Sequence, residues 1–363
     1  MDHVARRREQ VARFLTNAQL DGLLVTRAVN VTYLTGFTGD SSYLLAGRDR
    51  VLLVSDGRYE QQIREECPGL PAHIRPPAVR LPAATAGVLG QLGWRQVGFE
   101  AAHLSVAEFG QFRDALPAVE WKPCEDVVEG LRQCKDESEI AAIREAIGMA
   151  ERAFTRFRAG LRPDDTEKQL GDRLEMLLRD EGARCGSFPA IVGVGERAAL
   201  PHAPLTRRRV GEGTLLLVDW GANGGLYQSD LTRVLAVRRI APQLEQVYEV
   251  VMQAQARAIQ RIRPGVQAQA IDAEARSALE EAGFGDFFSH GLGHGIGLEV
   301  HEAPWLRPGS ATVLKPGMVV TVEPGVYIPG WGGVRLEDDV LVTEDGSEVL
   351  TRVPKKPIPI VEV

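Results

Sequence analysis

Apolar and polar positions follow two different periods along the chain, and the change from one to the other divides it. Residues 4–20 carry apolar positions at helical spacing and stop near Asp21-Gly22, which predicts an amphipathic opening helix. "GLLVT", "SYLLAG" and "RVLLVSD" are short apolar runs separated by Gly, Asp and Asn, the pattern of buried strands. "RYEQQIREEC" returns to helical spacing and ends at Pro68-Gly69, and "RQVGFE" and "VAEFGQFRDAL" repeat the alternation. A first α/β unit of about 125–130 residues follows from this order.

Longer helices then take over. "KDESEIAAIREAIGMAERAFTRF" places Ser138 where a cap is expected and sets Ile140, Ile143, Ile147 and Ala150 in one stripe. Helices are predicted over 136–158, 166–181, 243–262 and 268–282, with strands at 188–194, 214–219, 230–237, 318–323 and 334–342. The expected domains are 1–128 and 129–363. There is no tandem repeat or low-complexity tract, and "PKKPIPI" reads as extended.

Composition narrows the function classes. A length of 363 residues favours two domains, and 44% hydrophobic with 25% charged residues allows a substantial core. The formal charge of −7 argues against nucleic acid or an anionic membrane as a partner. Cys67, Cys124, Cys134 and Cys185 are scattered, without the spacing of a disulfide or zinc framework. No apolar run suits a signal peptide or a spanning helix, so a cytoplasmic protein with reduced thiols is expected.

The carboxylates point to chemistry. In "GTLLLVDWGANGGLYQSDLTRVLAV" a continuous apolar run meets a Gly-centred turn and a returning strand. A hairpin symmetric about Gly224-Gly225 sets Asp219 opposite Asp230. Like charges facing across strands are destabilising, and a bound cation relieves them. Solvated strand ends beside a turn explain this first pair equally well.

A second pair tips the balance. "MVVTVEPGVYIPGWGGVRLEDDVLV" is another Gly/Pro-centred hairpin, and Glu323 and Glu337 lie symmetrically about Gly330. Strand alternation sets Glu323 on the face of Thr321 and Val319, and Glu337 on the face of Arg335. Arg335 is either a surface ion pair or a group that orients a ligand.

Three of the chain's seven histidines fall in "HGLGHGIGLEVHEAP": His290, His294 and His301. His290 and His294 are four apart, yet Gly291, Gly293, Gly295 and Gly297 exclude a helical HExxH site. The stretch reads as a turn running into a strand "LEVHE", with glycines that let backbone approach a ligand. Four carboxylates and one imidazole make a hard donor set that favours Mn²⁺ over Cys-rich zinc, and four acids suit two shared ions. Such a site supplies hydroxide near neutral pH and polarises a carbonyl, so hydrolysis is the expected reaction class.

These residues resemble the Xaa-Pro peptidases of the pita-bread metallopeptidase fold, prolidase and aminopeptidase P. "NVTYLTGFTGDSSYLL", "LLVSDGRYEQQ" and "KDESEIAAIREA" are similar to the family's N-terminal domain and inter-domain helix. "SFPAIVGVGERAALPHAPLT", "DWGANGGLYQSDLTR", "HGLGHGIGLEVHEAP", "EPGVYIPGWGGVRLEDDVLVT" and "DGSEVLT" follow in family order. The resemblance implies an α/β two-domain chain: a creatinase-like N-terminal α/β domain and a C-terminal pita-bread α+β catalytic domain.

It implies two divalent ions, Mn²⁺ foremost with Co²⁺ or Zn²⁺ as alternatives. Asp219 would bind one ion, His294 and Glu323 the other, and Asp230 and Glu337 both. Glu323 would also accept a proton in catalysis. His202, His290 and His301 would serve the substrate, and Arg335 matches an arginine beside the bridging glutamate. Glu196-Arg197 stands where many relatives carry Pro-Asn, a departure that leads directly to His202.

The implied reaction is hydrolysis of the bond before proline, whose ring nitrogen bears no N–H. The expected partner is a small peptide with proline second, and a homodimer is the family expectation. Xaa-Pro dipeptidase is slightly favoured over an aminopeptidase P acting on longer peptides. A creatinase-like hydrolase or a non-catalytic binding module is a more remote reading, since such relatives dispense with the ligands retained here. Methionine aminopeptidases share the catalytic fold but fit the first domain and "GLEVHE" less well.

Overall fold

The apolar runs of the first part become neighbouring strands of one sheet. The computed structural model describes residues 3–237, 239–356 and 358–360, and it divides into two compact units, Met1–Arg132 and Gln133–Val363. The first runs α1 (His3–Asn17), β1 (Gly22–Val25), α2 (Ala28–Thr35), β2 (Tyr43–Gly47), β3 (Val51–Asp56), α3 (Glu60–Glu66), β4 (Ala72–Arg75), α4 (Leu81–Leu92), β5 (Gln96–Glu100), α5 (Val106–Ala115), β6 (Glu120–Cys124) and α6 (Val127–Arg132). Its strand order is β4-β3-β2-β1-β5-β6. The β1–β2 and β2–β3 pairs are antiparallel and the others parallel. Leu24, Leu45, Val54 and Val97 pack from the sheet onto Leu89 of α4 and Phe112 of α5.

The second unit continues α7 (Glu137–Ala159), α8 (Glu167–Asp180), β7 (Cys185–Gly186), β8 (Ile191–Val194), β9 (Leu215–Trp220), β10 (Ala222–Asn223), β11 (Leu231–Val237), α9 (Pro242–Arg261) and α10 (Ala268–Glu281). Then come β12 (Gly293–Gly295), β13 (Glu302–Leu306), β14 (Val319–Val322), β15 (Gly325–Ile328), β16 (Gly332–Arg335), β17 (Asp338–Val342), β18 (Ser347–Val349) and β19 (Ile358–Ile360). The two larger sheets are ordered β19-β11-β9-β8 and β13-β12-β14-β17-β18. The short pairs are β10-β7 and β15-β16.

The apolar run of β9 is buried on both faces, and alternation shares it between two cores. Leu215 and Leu217 pack with Val247, Val251 and Ala254 of α9. Leu216, Val218 and Trp220 pack with Phe154 of α7 and Leu174 of α8. The Trp220 ring stacks on Phe154 at 4.0 Å, and its Nε1 donates to Ala150 O at 3.0 Å. Burying both faces fixes the height and register at which β9 delivers its last residues.

Three expectations are corrected. Asp136, not Ser138, caps α7: its carboxylate accepts from the N–H groups of Ser138 and Glu139, while Glu139 reaches back to the Asp136 N–H. Ser138 instead donates its own hydroxyl to Asp136. The β9–β11 hairpin pairs Asp219 with Thr232 and Trp220 with Leu231, so its centre falls past Gly225 and Asp230 is not directly opposite Asp219. The slip is two residues, which keeps both acids on one face. Finally, "LEVHE" is not a strand. A turn closes from Gly297 N to Glu299 O, and pairing resumes only at Glu302.

Candidate active site

Strand ends from the two larger sheets of the second unit meet at one cavity. Asp219 is the last residue but one of β9, Asp230 immediately precedes β11, His294 is the middle of β12, Glu323 follows β14, and Glu337 precedes β17. Val322 pairs with Asp338 and Gly325 with Arg335, so Glu323 and Glu337 lie between two registers that agree about the same centre. Glu337 also bridges to Thr232 of β11, which ties one sheet to the other at the acids themselves. The predicted strand 334–342 is broken in two here, β16 pairing with β15 and β17 with β14.

Ligand-type atoms of Asp219, Asp230 and Glu337 lie within 4.8 Å of one another, as do those of His294, Glu323 and Glu337, and of Asp230, His294 and His301. His294 Nε2 is 3.3 Å from Glu323 Oε1 and 3.8 Å from Asp230 Oδ2. Its Nδ1 donates to Gly295 O at 3.1 Å, which leaves Nε2 as the nitrogen turned to the acids. His202, His290, His301 and Arg335 line the same cavity of 870 Å³, so all nine residues predicted from the sequence come together. Its remaining wall is largely apolar, with Phe188, Ile191, Leu205 and Trp305.

Burial dominates the electrostatics. It pushes Asp230 well above the usual carboxylate range, and the charges of Glu337, Asp219 and Glu323 push further. Glu337 is raised well above its usual value for the same reasons, burial first and then Glu323 and Asp219. Burial raises Asp219 too, against the pull of Arg335, whose Nη2 lies 2.5 Å from Asp219 Oδ2. Glu323 is the exception: burial acts upward, but the His294 hydrogen bond and charge hold it below its ordinary value.

Among the described residues, Asp219 Oδ1 and Asp230 Oδ1 are buried without a hydrogen-bond partner. An unpartnered buried carboxylate oxygen costs several kcal/mol in an apolar setting. A cation answers the orphaned oxygens and the like-charge crowding together, so this donor set fits divalent metal.

Several residues that the sequence reading missed hold the acids in place. Thr232 donates to Glu337 Oε2 at 2.6 Å and accepts from Arg335 Nε at 3.0 Å. Thr321 accepts from the His294 N–H at 3.0 Å and donates to Glu323 at 3.3 Å. Each threonine is two residues along a strand from an acid, so period-two spacing was the available signal. Tyr327 accepts from Arg335 Nη1 at 2.9 Å and donates to His290 Nε2 at 2.8 Å. His290 Nδ1 then donates to Gly291 O at 2.7 Å. Among the described residues His202 and His301 make no side-chain hydrogen bond; the His301 ring stands 4.3 Å from that of His294.

The glycines serve a different neighbour from the one expected. A Cβ on Gly293 would stand 2.1 Å from Thr321 O, one on Gly295 2.3 Å from Ala303 O, and one on Gly297 2.5 Å from Glu302 Oε1. They admit adjoining strands and a side chain, not a ligand.

Comparison with known proteins agrees with this geometry. Residues 7–134 match the creatinase/prolidase N-terminal domain, and residues 141–344 match metallopeptidase family M24. The chain is 33% identical over 357 residues to an Xaa-Pro dipeptidase of Pyrococcus furiosus, covering 96% of this chain and 99% of that one. An Xaa-Pro dipeptidase from Bacillus anthracis superposes with a TM-score of 0.93 at 36% identity, over 98% and 99% of the two chains. An X-Pro aminopeptidase from Thermotoga maritima superposes with a TM-score of 0.88 at 33% identity, over 94% and 98%. A metal-fitting cluster of acids and histidine on a pita-bread unit, preceded by a creatinase-type domain and matched end to end, places the chain in the metallopeptidase family M24.

Proposed function

We propose that this metallopeptidase hydrolyses Xaa-Pro dipeptides at a pair of divalent ions. The observation that carries the reading is the convergence of Asp219, Asp230, His294, Glu323 and Glu337 on one cavity. Full-length similarity to proteins named Xaa-Pro dipeptidase supports the substrate. Asp219 would hold one ion, His294 and Glu323 the other, and Asp230 and Glu337 both. An oxygen-rich set without thiolate favours Mn²⁺. Ions held there would supply a water of lowered pKa and polarisation of the scissile carbonyl.

The chain's own groups do the rest. Glu323 lines the cavity beside the other acids, where it is placed to take a proton from the attacking water and pass it toward the leaving nitrogen. Burial lowers both His290 and His301 from the ordinary imidazole value, which favours their neutral forms. His290 is locked through Tyr327 to Arg335, which fixes Asp219. His202 and His301 keep ring nitrogens free to meet the substrate. The apolar wall of Phe188, Ile191 and Leu205 excludes water and suits a pyrrolidine ring. A tertiary amide needs no acceptor for an N–H, and none of those three side chains offers one.

Similarity to the X-Pro aminopeptidase supports a second reading, action on longer peptides. Specificity constants for Ala-Pro and Ala-Pro-Ala with Mn²⁺ separate the two. The dipeptide is expected to be strongly preferred. Preference for Ala-Pro-Ala would replace the dipeptidase reading with the aminopeptidase one.

A further inference from the structure

Glu196 and Arg197 are used neither by the acid cluster nor by the proposed chemistry, yet both are engaged. Glu196 pairs with Arg208 at 2.7 Å. Arg197 Nε lies 2.9 Å from both oxygens of Glu167, and its Nη2 donates to Pro204 O. Glu167 is the first residue of α8 and fully buried. Its carboxylate also accepts from the Val194 N–H and the Thr206 N–H, both at 3.0 Å, and from the Thr206 hydroxyl at 2.5 Å.

One buried carboxylate therefore ties together the two ends of segment 194–206. His202 lies between those ends and lines the cavity. The middle of the segment is pressed against β16: a Cβ on Gly333 would stand 2.1 Å from Ala198 O. From the site side, Arg335 Nη1 reaches Pro201 O at 3.4 Å.

We infer that Arg197 and Glu167 form a positioning pair that holds His202 against the substrate; this rests on the proposed role of His202. The charge of Glu167 is buried, and Arg197 is the cation beside it. Removing the arginine leaves that charge uncompensated and cuts the strut to Pro204, which loosens the segment although Glu167 still accepts from Val194 and Thr206. A displacement of about 1 Å at a substrate-contacting group is enough to cost about a hundredfold in rate.

The test is a double-mutant cycle of Arg197→Gln and His202→Ala, read on Ala-Pro hydrolysis, metal content and backbone hydrogen exchange. Arg197→Gln is expected to lower kcat/KM by about tenfold or more, keep two metal equivalents, and speed exchange at the Val194 and Thr206 amides. Arg197→Lys, which keeps the charge beside Glu167 but not the strut to Pro204, should recover part of both effects. In the His202→Ala background the further loss from Arg197→Gln should shrink to less than about twofold. Additive losses, or unchanged exchange at both amides, would overturn the pairing and leave the proposed function standing. Full activity in His202→Ala would remove the substrate role of His202 and the pairing with it. Should Arg197→Gln fail to fold, Arg197→Lys carries the same exchange comparison and the same cycle.

Discussion

Asp230 is crowded by Glu337, Asp219 and Glu323 and holds its proton far above the usual carboxylate range because it is buried among them. A divalent ion bound among these acids would reverse that balance, so removing a donor should have a countable effect on metal content. His294→Ala is expected to cost one metal equivalent by elemental analysis, while His290→Ala and His301→Ala keep two. Equal losses in all three would show that the imidazoles bind metal jointly. Thr232 does not itself line the cavity, but it fixes both Glu337 and Arg335, which do. Thr232→Val should weaken metal affinity by about 10–100-fold in a chelator competition. Affinity unchanged within twofold would mean that Glu337 is held by its backbone alone. The acids and histidines of the cavity were legible in the sequence; Tyr327 was not, and for the threonines spacing gave a shared face but no role. An isolated Thr or Tyr in a strand carries no chemical signature until its neighbour is known.

The strands place these residues, and here the sequence pattern was only partly readable. Symmetry about Gly330 predicted the relation of Glu323 and Glu337 correctly because the registers on both sides of them share one centre. The β9–β11 hairpin slipped by two residues because its turn is not a simple two-residue one: Ala222-Asn223 leaves to pair with β7, and Asn223 bridges to Gln228. Nothing in "GANGGLYQS" announces that detour. The glycines at 293, 295 and 297 were read as room for a ligand because a single sequence cannot show which backbone lies against them. Gly293→Ala would force a methyl into the Thr321 carbonyl, where backbone cannot yield. A loss of about 3 kcal/mol or more in denaturant unfolding is expected, and a loss under about 1 kcal/mol would contradict the packing.

In the first unit, Asp56 at the end of β3 is held to about 2, from an ordinary 3.8, first by its hydrogen bond to Arg58 and further by Arg75. A lowered folded value means the stabilisation is complete above pH ~4 and is lost as pH falls toward 2. The stability gap between wild type and Asp56→Asn should accordingly be widest near neutrality and narrow below pH 4. A gap independent of pH would show that packing, not charge, is what Asp56 contributes.

At the scale of the whole chain, the α/β alternation of the first part and the four long helices of the second were readable because long amphipathic helices and short apolar strands differ in period, whereas the short strands β7, β10, β12, β13, β15 and β18 were not. What holds two sheets of the second unit together at the site, the Glu337–Thr232 bridge, is a contact across more than a hundred residues and leaves no local pattern. Metal bound by residues from both sheets should stabilise that unit, raising its melting temperature with ion concentration. A melting temperature indifferent to Mn²⁺ would argue against binding across the sheets. The most direct measurement is hydrolysis of Ala-Pro by the chain after exhaustive chelation and after return of Mn²⁺. No cleavage by the stripped chain, with activity restored as two equivalents rebind, is the predicted result. Cleavage that survives with no metal detectable would contradict the account.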